Sequence, residues 1–309
     1  MLIVFRSNGS KFSVKTSFLL LSVALATFVS QASAAISITS ATSLWTAITY
    51  ADPNAADPSL DQQTGTVEGD IVGNAAHQSL YTIFDDGGTP GVLTDGEIGF
   101  RLRLGGDASP SGLKTVVWVG IDANADGKVD LFAGALEDSK IGYYPAGTGA
   151  NTSPSTTSIA SSSPYLEVAV STLNFDFSPV TATNDPTATN FNLDGGSGGG
   201  ANHTDQFVSF KLSFASLVTV VNSLGLSGVG TFNQNSPLRF IAATSQQANA
   251  LNQDLNGING GVNSATTWTA LGGFTQPFTV TGVSTIPEPS SLVFLSSIGL
   301  LWGFRRSRA

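Results

Sequence analysis

Hydrophobic and polar residues alternate along several short stretches of the chain, a pattern typical of β-strands. In Glu97–Leu104 (EIGFRLRL), every second residue is apolar, which predicts a half-buried strand. Thr115–Ile121 is apolar on both sides and is predicted to be a central strand. Short strands separated by turns favour an all-β domain, arranged as a β-sandwich or jelly roll. Further strands are predicted at Val129–Ala133, Tyr165–Thr172, Thr204–Phe214 and Leu238–Thr244.

One short helix is predicted after the strand that ends near Phe214. Ser213 or Ser216 can cap its start, and Gly225 lies just past its end. Its apolar stripe favours core packing over a partner surface. The stripe consists of Phe214, Leu217, Val218, Val221 and Leu224. Two low-complexity stretches, 145–164 and 178–202, are long for loops, so the sequence leaves open whether residues 35–284 form one domain.

The N-terminus has the three parts of a secretory signal peptide. Three basic residues precede the apolar stretch Phe18–Val29, and Ala32–Ala34 is a small-residue cleavage site. We therefore predict that residues 1–34 are a signal peptide, cut between Ala34 and Ala35. The chain has no Cys, which excludes disulfides and a lipid-modified cysteine anchor in the exported protein.

The C-terminus ends in an apolar segment followed by arginines. Ser290–Phe304 is 15 residues long without a charge. As a helix it would measure roughly 22 Å, less than the roughly 30 Å hydrocarbon core, but it can span with local thinning and arginine snorkelling. The positive-inside rule keeps the arginines in the cytoplasm and places the body of the protein outside. The arginines are Arg305, Arg306 and Arg308.

This C-terminal arrangement resembles the PEP-CTERM protein-sorting tail. Pro287, Glu288 and Pro289 supply the motif, and the apolar span and the basic cluster follow in order. The resemblance covers about the last 24 residues, and Ser307 interrupts the basic cluster. We assign residues 285–309 to this tail.

The resemblance implies that the chain is a substrate of exosortase, a membrane cysteine transpeptidase-like enzyme of Gram-negative bacteria often encoded with exopolysaccharide genes. The tail would hold a precursor in the inner membrane, and the released protein would go to the cell surface or the extracellular matrix. The alternative is a permanent single-span anchor.

The charge of the body limits its partners. The chain has 13 basic and 22 acidic residues. Residues 35–284 contain seven of the basic residues and 21 of the acidic residues. A net charge of about −14 repels phosphate backbones and anionic lipids, which argues against nucleic-acid binding. The same charge favours divalent cations.

The stretch DANADGKVD at 122–130 resembles the first nine positions of an EF-hand calcium loop. Oxygen-bearing residues stand at alternate positions, and Gly127 permits a sharp turn. Ala133 occupies the twelfth position, where an EF-hand has Glu, which predicts weaker binding. We predict structural calcium; the alternative is a solvated hairpin turn. The predicted ligands are Asp122, Asn124, Asp126, Lys128 through its carbonyl, and Asp130. Two looser copies, 190–195 and 252–257, are predicted to be turns.

Candidate catalytic chemistry is sparse. His77 and His203 are the two histidines, and each is predicted to be a surface or turn residue. We therefore predict no catalytic residues and no enzymatic activity, although a carboxylate pair of the glycosidase type stays open. Exposed aromatic residues could instead bind sugars. The candidates for that role are Trp45, Trp268, Tyr143 and Tyr144, whereas Trp118 is predicted to be core.

The sequence thus predicts an exported, calcium-stabilised structural domain sorted to the cell surface or matrix. A non-catalytic carbohydrate-binding module in an exopolysaccharide matrix is the first alternative. A carboxylate-dependent glycan-active enzyme is the second.

Overall fold

The fold was analysed in a computed structural model that describes residues 35–49, 57, 60–64, 66–88, 96–108, 112–194 and 203–282. All of these residues belong to one compact unit, Ala34–Pro287. In this part of the chain, no helix combines the length and the apolar character needed to cross a membrane. The predicted signal peptide and the predicted sorting tail lie outside the described residues.

Most of the regular structure in the described residues is β-strand. The two α-helices found there are α1 (Phe214–Leu224) and the short α2 (Trp268–Leu271). Single 3₁₀ turns lie at Thr42–Leu44, Val67–Gly69, Pro154–Thr156 and Val280–Gly282. The strands are β1 (Thr46–Ala47), β2 (Leu80–Asp85), β3 (Glu97–Leu104), β4 (Val116–Asp122), β5 (Leu131–Leu136), β6 (Lys140–Pro145), β7 (Leu166–Ala169), β8 (Phe175–Pro179), β9 (Gln206–Ser213), β10 (Arg239–Ser245) and β11 (Asp254–Leu255).

These strands form two antiparallel sheets. The five-stranded sheet has the order β1-β2-β3-β9-β8, and the six-stranded sheet has the order β11-β10-β4-β5-β6-β7. A shared hydrophobic core lies between them: Phe100 of β3 contacts Phe240 of β10, with ring centroids 5.5 Å apart. The prediction of an all-β, sandwich-like domain is therefore confirmed for the described residues.

Helix α1 begins and ends where the sequence predicts. The Ser213 hydroxyl accepts a hydrogen bond from the Ser216 backbone N–H at 3.2 Å, which satisfies one unpaired donor of the first turn. Gly225 ends the helix in the left-handed conformation, with φ of 62°. Phe214 and Leu217 are fully buried. The prediction that the apolar stripe packs into the core is confirmed.

Strand β3 is buried on both faces, so the prediction of a half-buried strand is wrong. Its outward side chains Arg101 and Arg103 are 1% and 0% exposed. The chain that precedes β1 covers this face: Arg101 donates to the carbonyls of Ile38 at 2.6 Å and Ser40 at 2.8 Å. Its guanidinium also stacks on Trp45, 4.3 Å from the ring centroid. Stacking and hydrogen bonding allow an arginine to be buried here.

Candidate metal centre

The predicted calcium loop joins β4 to β5 as a hairpin. Asp122 is the last residue of β4, and the Asp130 backbone N–H donates to the Ile121 carbonyl at 2.8 Å, which closes the loop. Ala125 and Gly127 have positive φ angles of 59° and 86°. This conformation suits glycine and produces the sharp turn that the sequence predicts.

The polar side chains of this loop hydrogen-bond the loop's own backbone. Asn124 Oδ1 accepts from the Asp126 N–H at 3.2 Å, and Asp126 Oδ1 accepts from the Lys128 N–H at 3.0 Å. Asp122 Oδ2 accepts from the Gly127 N–H at 3.1 Å. Such side-chain turns are typical of Asp and Asn in tight loops.

Charge in the loop is partly balanced within the protein. Arg239 of β10 forms an ion pair with the buried Asp122 carboxylate. Burial raises the pKa of Asp130 to about 6, although the Ala123 backbone N–H lowers it, and Asp122 and Asp126 raise it further. Within the described residues, the three carboxylates of this loop do not converge within 4.8 Å of one another. Calcium binding at 122–130 stays a prediction.

A different group of carboxylates does converge. Asp61, Asp70 and Asp254 each place one oxygen within 4.8 Å of the others, which among the described residues is the sole group of three such side chains. Asp70 and Asp254 are fully buried, and Asp61 is half-buried. All three offer oxygen atoms, the ligands that hard cations prefer.

Backbone N–H groups hold these three carboxylates in place. Asp70 accepts from the Leu60 N–H at 3.1 and 2.9 Å, and Leu60 has a positive φ of 69°. Asp254 Oδ2 accepts from the Ile71 N–H at 2.7 Å, which joins β11 to the segment after Asp70. Asp61 Oδ2 accepts from the Gly260 N–H at 2.7 Å.

Two further oxygen-bearing side chains lie close to Asp61 in sequence. Asp57 is 5% exposed; its Oδ1 accepts from the Gly257 N–H at 2.6 Å, whereas its buried Oδ2 has no hydrogen-bond partner among the described residues. Gln62 is 7% exposed, and its buried Oε1 also has none. The buried Oδ1 of Asp61 is a third such acceptor. Buried polar atoms without a partner are rare in folded proteins.

Burial dominates the electrostatics of this group. It raises the pKa of Asp70 to about 7, with the Leu60 N–H lowering it and the Asp61 and Asp194 charges raising it. The pKa values of Asp57 and Asp254 are also raised well above the usual range, first by burial and then by neighbouring carboxylates. Such carboxylates are unfavourable as a group of anions unless protons or a cation neutralise them.

The sequence did not identify this group. Residues 252–257 were predicted to be a turn with one carboxylate, but Asp254 lies in β11 and meets Asp61 and Asp70 in space. The available signal was the succession of Asp57, Asp61 and Asp70 in a stretch without a basic residue. Sequence alone does not show which distant carboxylate completes such a set.

The other predicted site residues fall into two groups. The aromatic candidates for sugar binding are core residues: Trp45 is 5% exposed, and Trp268, Tyr143 and Tyr144 are 0% exposed. The processing and sorting residues lie outside the described part of the chain, apart from Ala35, which is exposed. Those outside are Ala34, Pro287, Glu288, Pro289, Arg305, Arg306 and Arg308.

The histidines are partners of carboxylates. His77 lies in a turn, as predicted, but it is buried there, with Nδ1 3.7 Å from Asp185 Oδ2. His203 Nδ1 lies 3.5 Å from Asp194 Oδ2.

An open cavity of about 520 Å³ lies beside the 122–130 loop. Tyr165, which is 42% exposed, lines it together with Asp130 and Asn151. An exposed ring next to a carboxylate and an amide is suited to a small polar ligand.

Comparisons with known proteins gave no match: no family model matches the chain, and neither the curated proteins nor the solved structures contain a match.

Proposed function

We propose that the chain is an exported structural protein, sorted through its PEP-CTERM-like tail to the cell surface or extracellular matrix. Its sandwich-like domain has no catalytic role in this proposal and is stabilised by calcium. Exosortase recognises the tail while the precursor is held in the inner membrane. Exopolysaccharide is the surrounding matrix.

The observation that carries the proposal is that core residues of the folded domain lie just inside both predicted cleavage positions. Ile36 and Ile38, which directly follow the predicted cleavage site, are buried beside Tyr81 and Phe207. Val280, near the other end, is buried in the main core. Cleavage after Ala34 and near Pro287 leaves these contacts intact, so the released domain keeps its core.

The buried polar groups support a structural role. His77 and Arg103 both contact Asp185, and each of these three side chains is at most 7% exposed. A general base needs access to its substrate. These groups instead connect segments of the fold.

Cell fractionation tests this function. In exosortase-positive cells we expect the protein at the surface or in the medium. In exosortase-deficient cells we expect the precursor in the inner membrane. The same membrane location in both strains would contradict sorting and leave the permanent anchor.

One observation favours a second candidate function, carbohydrate binding at the cavity that Tyr165 lines. A glycan array with the parent protein and Tyr165→Ala tests it. Leu173→Ala is the matched control, because Leu173 is 76% exposed and does not line this cavity. Binding lost in Tyr165→Ala alone supports this candidate, and no binding by the parent contradicts it.

A further inference from the structure

The group around Asp61 has more acceptors than the protein has donors to satisfy them. Asp57 Oδ2, Asp61 Oδ1 and Gln62 Oε1 are buried and have no hydrogen-bond partner in the described part of the chain. An unsatisfied buried acceptor is costly because it has lost its hydration without a replacement. A bound cation offers such oxygens the partner that the described residues do not supply.

The charge of the group points to a cation. Asp57, Asp61, Asp70 and Asp254 form no ion pair with a basic side chain in the described part of the chain. The charges of Asp254, Asp61 and Asp70 all act on Asp57, whose buried Oδ2 has no hydrogen-bond partner among the described residues. Like charges that share a buried site repel each other unless a proton or a cation intervenes.

We propose that Asp61, Asp70 and Asp254, whose carboxylate oxygens converge, bind one calcium ion. This site is separate from the 122–130 loop and does not depend on the sorting tail.

The donor chemistry selects calcium. The group offers carboxylate oxygens and contains no His or Cys, which disfavours zinc and softer metals. Two oxygens that each lie about 2.4 Å from one calcium ion are at most about 4.8 Å apart, in line with the observed convergence. Calcium accepts six to eight oxygens in flexible geometry, whereas magnesium needs a near-ideal octahedron and retains its waters.

The bound ion would fasten Asp61 and Asp70 to Asp254 in β11, the edge strand of the six-stranded sheet. That junction already depends on Asp57 with Gly257 at 2.6 Å and Asp254 with the Ile71 N–H at 2.7 Å. The ion therefore adds a cross-link between segments far apart in sequence and stabilises the fold by mass action.

Asp61→Asn tests the proposal in the full-length chain, kept in a mild detergent. The change removes one charge and retains an oxygen for the Gly260 N–H. In chelator we expect a higher melting temperature than in the parent, because repulsion is relieved. In calcium we expect a lower one, with calcium affinity reduced about tenfold or more because a charged ligand is lost.

Asp86→Asn is the matched control, since Asp86 is a turn carboxylate that also accepts a backbone N–H, from Gly88 at 3.1 Å. It should respond to calcium like the parent. Equal calcium responses in Asp61→Asn and the parent would overturn the proposal, and so would a parent with no response to millimolar calcium.

A second measurement decides the matter if Asp61→Asn does not fold. Titration calorimetry of Asp126→Asn, which alters only the 122–130 loop, should still show calcium bound at one site. Loss of all calcium binding in Asp126→Asn would place the ion in that loop and overturn the proposal.

Discussion

Arg103 and Asp205 form a fully buried ion pair on the outer face of the five-stranded sheet. Arg103 Nε and Nη2 lie 2.8 and 2.6 Å from the same oxygen, Asp205 Oδ2. Arg103 Nη1 also reaches Asp185 at 3.3 Å, and Nη2 donates to the Asn190 carbonyl at 2.9 Å. One arginine thus holds Asp185, Asn190 and Asp205 against β3.

Replacing Arg103 should therefore destabilise the fold strongly. Arg103→Met leaves Asp205 and Asp185 buried without this partner, and we expect a loss of about 3–5 kcal/mol in the free energy of unfolding. Lys140→Met is the control, because Lys140 pairs with Glu167 while 55% exposed, and an exposed pair contributes about 0–1 kcal/mol. Urea unfolding measures both. Similar losses in the two variants would contradict the structural role of Arg103.

Tight packing between β4 and β5 predicts a second large effect. A Cβ at Gly134 would lie 2.3 Å from two ring carbons of Trp118, which is itself packed against Phe132 and Tyr144. We expect Gly134→Ala to lower the free energy of unfolding by about 1–3 kcal/mol through overpacking.

Gly230→Ala is the control for that variant, since no atom lies within 4 Å of its added Cβ and its φ is not in the left-handed range. It should be neutral, or stabilising by about 0.4–1 kcal/mol. Equal denaturant midpoints for the two alanine variants would show that β4 and β5 pack less closely than described.

The 122–130 loop gives a prediction of its own. If it binds calcium, Asp126→Ala should reduce the rise in melting temperature that calcium produces, because one ligand is lost. In chelator the variant should resemble the parent, since Asp126 is partly exposed and accepts a single backbone hydrogen bond, from Lys128. Thermal unfolding with calcium and with chelator measures both. If calcium raises the melting temperature of Asp126→Ala as much as that of the parent, the loop does not bind calcium.

Six of the strands and α1 could be predicted because their signals are local, whereas β1, β2, β6, β8 and β11 were not predicted. Thr115–Ile121 is apolar on both sides wherever it folds, and Ser213 and Gly225 mark the ends of α1 within the sequence itself. The burial of β3 on both faces could not be predicted. Arg101 is a charged residue, and the segment that covers it, near Ile38, lies 63 positions away in the sequence.

The candidate site depends even more on distant contacts. Asp61 meets Gly260 across 199 positions, and Asp254 meets Ile71 across 183. The carboxylates of the 122–130 loop are close in sequence, so sequence analysis predicts the calcium site there. Closeness in sequence does not bring them together, since each carboxylate hydrogen-bonds a backbone N–H of its own loop.

Changes in the C-terminal tail should block sorting in two different ways. Glu288→Ala removes the charge at the centre of the motif and should prevent recognition. Gln at positions 305, 306 and 308 removes the positive charges that orient the span. In both variants we expect uncut precursor, seen as a larger band in the membrane fraction, whereas Ser307→Ala should be processed normally. Normal processing of both variants would show that the resemblance to a sorting tail is superficial.

The most direct test of the proposed function is the intact mass of the protein recovered from the cell surface or the medium. We predict a chain that begins near Ala35 and ends close to Pro287, lacking both the signal peptide and the apolar tail. A surface or extracellular chain that still contains Ser290–Ala309 would contradict the account.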